Sequence, residues 1–476
     1  MWSAVLATHA LLFVYGFFFD EMIAAVTAGT AAAFFVLWQG LRRDSMISLL
    51  PTLGFVAGNV ISLGVFSLIS DRWTNLPKFI APDFTAWLVA ALVWSAAVGG
   101  LLVDRALAHQ HIRVASREEL TRVELLAVTA LSFAFVAIGM FAAGFLDQRW
   151  VVAEAGFGLG YLVHGLDTIS YSFFFILGCH FRGQIGSSRD LAILALVGSL
   201  ALMFGLSGGR EHSMWMILLL IAGAAAGGMP ARRLIVLIGW VSIVGALFFS
   251  VIGTARGVRE FRTGTVSQRL SAVGDATDDL MGNDGGQDDF DEFVNRVCAS
   301  TAHDIIAQSI AADYRAGFDD FERLAYLFIP KAIAPEKPAI NDSKEILIRD
   351  FGYNLSVLHS VPITLVGDAF RRGREPWVLG VGFATGVVLR LLPYLAALVV
   401  PAALFVPCIV LLSISSLRAY GSSVLGMFDR LVYRGTKLIF LILVLGMVAS
   451  LLGLLLRASR QDRVDTGPRG DPGTAG

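Results

Sequence analysis

Arg210 sits in the run Ser207-Gly208-Gly209-Arg210-Glu211-His212, between two strongly apolar stretches. A glycine pair lets backbone approach a ligand closely. A guanidinium beside it can hold phosphate oxygens through two parallel hydrogen bonds. An interfacial arginine paired with Glu211 is the plainer reading of the same residues. Further on, Pro330-Lys331-Ala332-Ile333-Ala334-Pro335-Glu336-Lys337-Pro338 alternates prolines with lysines. Fixed φ and missing donors make this piece stiff and non-helical, so Lys331 and Lys337 are offered either to an anionic ligand or to solvent. His359 precedes the apolar run 361–365, and its ordinary pKa suits proton transfer near neutrality; a structural histidine is the competing reading. His164 and Asp167 are three residues apart and share one helix face. Ionisable groups at membrane depth face a polar cavity or each other.

The elements that must carry these residues follow from composition. Of 476 residues, 56% are hydrophobic and 16% charged, against about a quarter charged in a soluble protein, and mean hydropathy is +0.69. That is too little polar surface to wet a globule of this size, and the same figures exclude disorder. Cys179 and Cys408 lie in apolar runs and Cys298 in a polar one, so neither a disulfide framework nor a zinc site is expected. The fold class predicted is an all-α polytopic membrane protein. Apolar runs of about 20 residues, the length a bilayer core needs, predict spans near 2–19, 22–40, 46–70, 85–103, 124–146, 155–179, 191–207, 213–229 and 234–253, then 376–392, 394–416 and 436–456. This makes about twelve in all. The first run lacks a basic leader region and reads as a retained span.

Arginines concentrate in the even loops: Arg42 and Arg43, then Arg105, Arg113, Arg117 and Arg122, then Arg182 and Arg189, then Arg232 and Arg233. By the positive-inside rule both termini are cytoplasmic and the polar stretch 254–375 lies outside. Arg418, Arg430, Arg434 and Lys437 fall in a loop this count places outside, against the rule. Either the 376–416 run divides differently, or 418–435 is interfacial. The predicted organisation is a nine-helix region over 1–253, an extracytoplasmic loop domain over 254–375, C-terminal helices over 376–456 and a disordered tail over 457–476.

The outer stretch divides in three. Arginines 256, 259, 262 and 269 precede an acidic, Gly-rich run over 275–292, whose spacing does not fit a calcium loop. Phe293, Val297, Ile305, Ile306 and Ile310, then Phe321, Leu324, Ala325 and Phe328, recur at helical spacing and predict helices on the membrane face or over a cavity. Residues 329–374 are dense in Pro, Lys, Arg, Asn, Asp and His, as a site would be.

Taken together, these segments resemble the O-antigen polymerase (Wzy) family and related bacterial exopolysaccharide repeat-unit polymerases. Ser207-Gly208-Gly209-Arg210 is similar to that family's Ser-Gly-Ser-Arg element. The 329–341 segment is similar to its Pro-Arg…Trp-Pro-Asp-Lys-Pro loop, and Val361-Pro362 through Asp368-Ala369-Phe370, with Gly380 and Gly386 beyond, to the element entering the next helix. The resemblance covers about 200–390. Gly209, Lys331 and Ala334 replace the family's Ser, Arg and Trp, and Arg371-Arg372-Gly373 replaces an Asn-Phe-Gly pattern.

The resemblance implies a GT-C-like architecture in the bacterial inner membrane and transfer of a glycan from a polyprenyl-diphosphate carrier to a sugar hydroxyl of another lipid-linked repeat unit. Donor and acceptor are then both lipid-linked, with the bilayer, a flippase and a chain-length regulator as further partners, and no nucleic acid. Concentrated negative charge on the leaving diphosphate must meet cations. Arg210 is the first candidate, with Lys331, Lys337 and Arg349 beside it. His359 is the candidate base, with Glu211 and Asp368 behind it; no metal or cofactor is expected. An O-antigen ligase shares this donor chemistry. A secondary transporter is the reading from another class, with His164 and Asp167 as its coupling pair.

Overall fold

The computed structural model describes residues 49–69, 80–107, 115–142, 169–184, 187–206, 210–257, 266–281, 300–327, 343–352 and 363–465, with Ile329 and Glu336 besides. The expected spans 2–19 and 22–40 and most of 155–179 fall outside them. So do His164, Asp167, Lys331, Lys337 and His359.

Among the described residues every regular element is helical. In chain order they are α1 (Leu50–Ile69), α2 (Pro82–Ala106), α3 (Arg117–Leu120), α4 (Val123–Ala142), α5 (Ser172–His180), α6 (Ser188–Leu206), α7 (Arg210–Ala226), α8 (Ala231–Gly257), α9 (Val266–Met281), α10 (Ser300–Ala311), α11 (Ser343–Phe351), α12 (Leu365–Val399), α13 (Ala402–Leu417), α14 (Val424–Met427) and α15 (Arg434–Asp465). Among the described residues, six stretches are long and apolar enough to cross a membrane: Pro82–Ala106, Glu118–Gly139, Ser188–Gly205, Leu365–Val399, Ala402–Gly421 and Val424–Ala458. This is the architecture of an α-helical membrane protein.

Local chemistry sets the helix ends. Pro82 and Asp83 open α2, where a missing N–H costs nothing and a carboxylate meets the positive end of the dipole. Ser116 and Glu119 exchange side-chain and backbone hydrogen bonds ahead of α3, a reciprocal cap.

The late helices divide differently from expectation. The sequence suggests a break at Pro393, but α12 runs through it to Val399 and the turn falls at Val400-Pro401. One proline removes one hydrogen bond, which a packed membrane helix tolerates. The extended backbone of Val400 ahead of Pro401 is what ends the helix. The expected loop 418–435 is likewise mostly helix. A 3-10 turn over Arg418–Gly421 is followed by α14, a π-helical turn over Phe428–Tyr433 and α15. Arg430 and Arg434 therefore stand on a helix, bonded to the Arg418 carbonyl and to Asp429.

The helices pack through parallel seams of small residues. Along α2 and α12, Gly382 lies against Leu92 and Ser95, Gly386 against Ala96, and Gly99 against Phe383. A Cβ at Gly386 would run into the Ala96 carbonyl, so only glycine permits this approach. Gly380, on the same helix, faces open space. Asp104 pairs with Arg390 farther along the same two helices. A second seam joins α5 and α7, where a Cβ at Gly223 would meet the Phe175 carbonyl.

Two main cores result. One gathers α1, α2, α10, α14 and the first half of α12 around Phe55, Phe66, Leu92, Ile306 and Phe370. The other gathers α4 to α7, α13, α15 and the end of α12 around Phe133, Phe174, Phe204 and Phe405. Helix α10 does more than lie over a surface, since Ala302 and Ile306 enter the first core and His303 meets Thr85 of α2 at 2.8 Å. Ile310, expected on the same buried side, is exposed. Asp319–Tyr326 is a 3-10 helix where α-helical spacing was expected.

Candidate functional site: an arginine-rich joint

Ile363 and Thr364 lead into the first two turns of α12, and from Leu365 to Arg372 every residue is buried. Thr364 caps this short piece, its hydroxyl accepting from the Gly367 N–H at 3.2 Å. The helix then breaks at Gly373 and Arg374 before resuming. Pro376, just past the break, sits in a first turn where it needs no N–H.

Asp368 is fully buried at the centre. Its carboxylate accepts from Arg371 Nε at 2.5 Å, from Arg372 Nε at 3.4 Å and from the Val424 N–H at 2.7 Å. The Val424 bond ties the start of α14 to α12. Arg371 also donates to Asp350 at 2.7 Å, while Arg349 grips the same carboxylate through Nε and Nη2. Arg372 forks onto Asp320 at 2.8 and 2.5 Å and reaches the Gly317 carbonyl at 3.0 Å. Arg374 donates to the Ser309 carbonyl and to Asp313, both at 3.0 Å. Four arginines thus meet four aspartates. Arg371, Arg372, Asp350 and Asp368 are the buried members of this set, and low-dielectric burial makes such an inner set favourable only when every member is present.

Two features of the joint are unbalanced. Arg371 Nη2 and Arg374 Nη1 are buried and have no hydrogen-bond partner, although buried polar groups are nearly always satisfied. The backbone is also strained here. Among the described residues only Asp313, Thr364 and Arg374 are non-glycine residues at positive φ, at 42°, 62° and 62°. A β-branched threonine rarely adopts that conformation, and such strain collects at functional sites. Asp313 and Arg374 are bonded to each other, so both sides of that contact are strained.

Titration follows from these partners. Burial works to raise the Asp320 carboxyl, but the Arg372 guanidinium outweighs it and holds Asp320 below the ordinary carboxylate value. The bond to Asp350 raises Arg349 above the ordinary guanidinium value. Burial, then the Asp350 charge, pushes the Tyr314 phenol up.

Of the sequence candidates, the joint brings together Asp368 and Arg349, linked through Arg371 and Asp350. Asp368 has three donors on its two oxygens, which suits it to positioning arginines rather than to taking a proton. Arg349 is half-exposed at the rim. Arg210 and Glu211 open a different helix, α7, whose partners include α5 and α6. In that second core, Tyr171 and His212 are hydrogen-bonded at 2.6 Å among Phe204 and Trp215. Sequence reasoning did not select Asp320, Asp350 or the arginines 371, 372 and 374 as site residues. The one local signal was the spacing of Arg371 and Arg372, three and four residues after Asp368, which puts all three on one helix face.

Compared with family models, curated proteins and solved structures, the chain gives no match in any of the three.

Proposed function

We propose that this chain is a glycosyltransferase of the bacterial inner membrane that joins polyprenyl-diphosphate-linked oligosaccharide repeat units on the periplasmic face. The reading includes a twelve-span, GT-C-like architecture with both termini cytoplasmic, and a flippase and a chain-length regulator as partners. The observation that carries it is the pair of buried guanidinium N–H groups without acceptors, on Arg371 and Arg374. They lie where the segment resembling the polymerase element enters its helix. Buried cationic donors of this kind suit a substrate rich in phosphate oxygens.

In this reaction an acceptor sugar hydroxyl attacks the anomeric carbon of the donor. The bond from that carbon to the diphosphate oxygen breaks, the polyprenyl diphosphate leaves, and a base takes the hydroxyl proton. Charge grows on the leaving oxygen, where fixed cationic donors lower the barrier without reorganising. Arg371 and Arg374 supply donors, held in place by Asp368, Asp350 and Asp313. Arg210, Lys331 and Lys337 remain the further cationic candidates from the sequence, and His359 the candidate base, with Glu211 next.

The test uses the full chain in lipid nanodiscs with a synthetic polyprenyl-diphosphate oligosaccharide. Wild type should yield a polymer ladder, and Arg371→Lys should lose about a hundred- to thousandfold in rate, the usual cost of one such donor. A folded Arg371→Lys variant at wild-type rate removes this site from the reaction. No ladder from wild type removes the reading itself.

A further inference from the structure

Next to the break in α12, three aromatic rings gather at the edge of the joint. Phe318 stacks on Trp377 with centroids 4.7 Å apart and planes tilted by 30°. Phe321 meets both rings edge-on, at 5.5 and 6.4 Å, and carries the Arg372 guanidinium at 4.9 Å. The Trp377 indole lies so close to Gly373 that a Cβ there would collide with it. The glycine at the break is therefore what lets the indole settle on the backbone, and Phe318 rests on the indole. Despite these contacts Phe318 remains 41% exposed.

We propose that Phe318, supported by Trp377, is a stacking platform for a pyranose ring of the substrate glycan. The assignment rests on the glycosyltransferase reading and adds a sugar subsite to it. The surroundings of the ring choose the occupant. The neighbouring Gly317 carbonyl and Asp320 hold Arg372, and Arg374 holds Asp313, whose side chain is 88% exposed. An acyl chain laid over Phe318 and its surroundings would strip water from the exposed Asp313 carboxylate and give nothing back. A pyranose presents one face of C–H groups to an aromatic ring and a rim of hydroxyls that donate to carboxylates and carbonyls. Trp377 packs on Gly373 at the break in α12, so the platform would hold a sugar at the break that carries Arg374.

Saturation-transfer NMR on the full chain in nanodiscs, with maltose, lactose and N,N′-diacetylchitobiose as probes, tests this directly. Transfer to sugar C–H protons is expected in wild type. It should fall about fivefold to tenfold in Phe318→Ala, the loss of one aromatic contact, and persist in Phe318→Trp. No transfer from wild type to any probe, or equal transfer in Phe318→Ala, overturns the platform. Brominated acyl chains that quench Phe318→Trp fluorescence beyond the wild-type level would place the ring in lipid and also overturn it. Phe318-dependent transfer without polymer would retire the polymerisation reading and keep the platform. Polymer formation without Phe318-dependent transfer would do the reverse.

Discussion

Around Asp368 the helices bury charge, whereas around Phe133 they bury rings. Both regions use the same backbone device, a parallel seam in which glycine lets two helices touch: Gly386 on Ala96 in the first, Gly223 on Phe175 in the second. What fills the space beside the seam differs. The second core stacks Phe133 against Phe173 and Phe174 and admits the Tyr171–His212 pair. The first admits Arg371, Arg372, Asp350 and Asp368, with Arg349, Arg374, Asp313 and Asp320 around them and two buried donors left over. The ring-filled core also holds buried polar atoms without a hydrogen-bond partner, Ser172 Oγ, His180 Nε2 and Trp215 Nε1, but these are neutral groups. None of its described non-glycine residues has a positive φ. The joint carries unaccepted N–H groups and three residues at positive φ. Buried charge and strained backbone, rather than unsatisfied polar atoms as such, set the joint apart from the ring-filled core.

Removing its central carboxylate should separate the two regions most sharply. Asp368→Ala leaves Arg371 and Arg372 buried beside an uncapped Val424 N–H, and should cost about 3–5 kcal/mol. Equilibrium unfolding in mixed micelles measures this. A loss below about 1 kcal/mol would mean that the joint is wet and loosely held.

The seams should respond alike if they are alike. Gly386→Val and Gly223→Val each force helices apart, at about 1–3 kcal/mol, while Gly380→Val, facing open space, should be close to neutral. A large loss at Gly380 would break the seam assignment.

Acid should act on the joint through Asp320. Its folded-state pKa lies below the ordinary carboxyl value of 3.8. The stabilisation it gives is therefore complete above that value and lost as pH falls through the lower, folded one. Melting temperature against pH should drop in strong acid for wild type, and Asp320→Asn should be less stable at neutral pH but show a shallower drop. Parallel profiles would show that Asp320 is not ion-paired in solution.

The smallest effect belongs to the ring-filled core. Tyr171→Phe removes one hydrogen bond to His212 and should cost about 0.5–1.5 kcal/mol, read by the same unfolding assay. A loss as large as that of Asp368→Ala would erase the contrast between the cores.

Hydropathy alone located the six long apolar stretches, because a bilayer core demands one kind of segment. It did not tell Pro393 from Pro401, or Gly380 from Gly382. Each pair is chemically identical, and only the neighbouring helix decides which proline breaks and which glycine packs. The joint was half visible. Arg371 and Arg372 stand one helical turn from Asp368, but they read as departures from a resemblance. Their other partners lie 21 and 52 residues away, and Val424 lies 56 away, across turns no local pattern specifies. Conversely, Arg210 and Glu211 attracted notice through a local glycine run, and the structure puts them at the start of a helix outside the joint.

The seam between α2 and α12 has a consequence for how the protein is made. Asp104 and Arg390 are 286 residues apart in the chain. At ribosomal rates of about 5–20 residues per second, roughly a quarter of a minute to a minute separates their synthesis. For that interval Asp104 has no Arg390 to pair with, and a carboxylate without its partner is costly in a membrane helix. The helix must wait near the interface, or in the care of the insertion machinery, until its late partner arrives. Birth order, as much as final packing, then constrains where this chain can afford a charge.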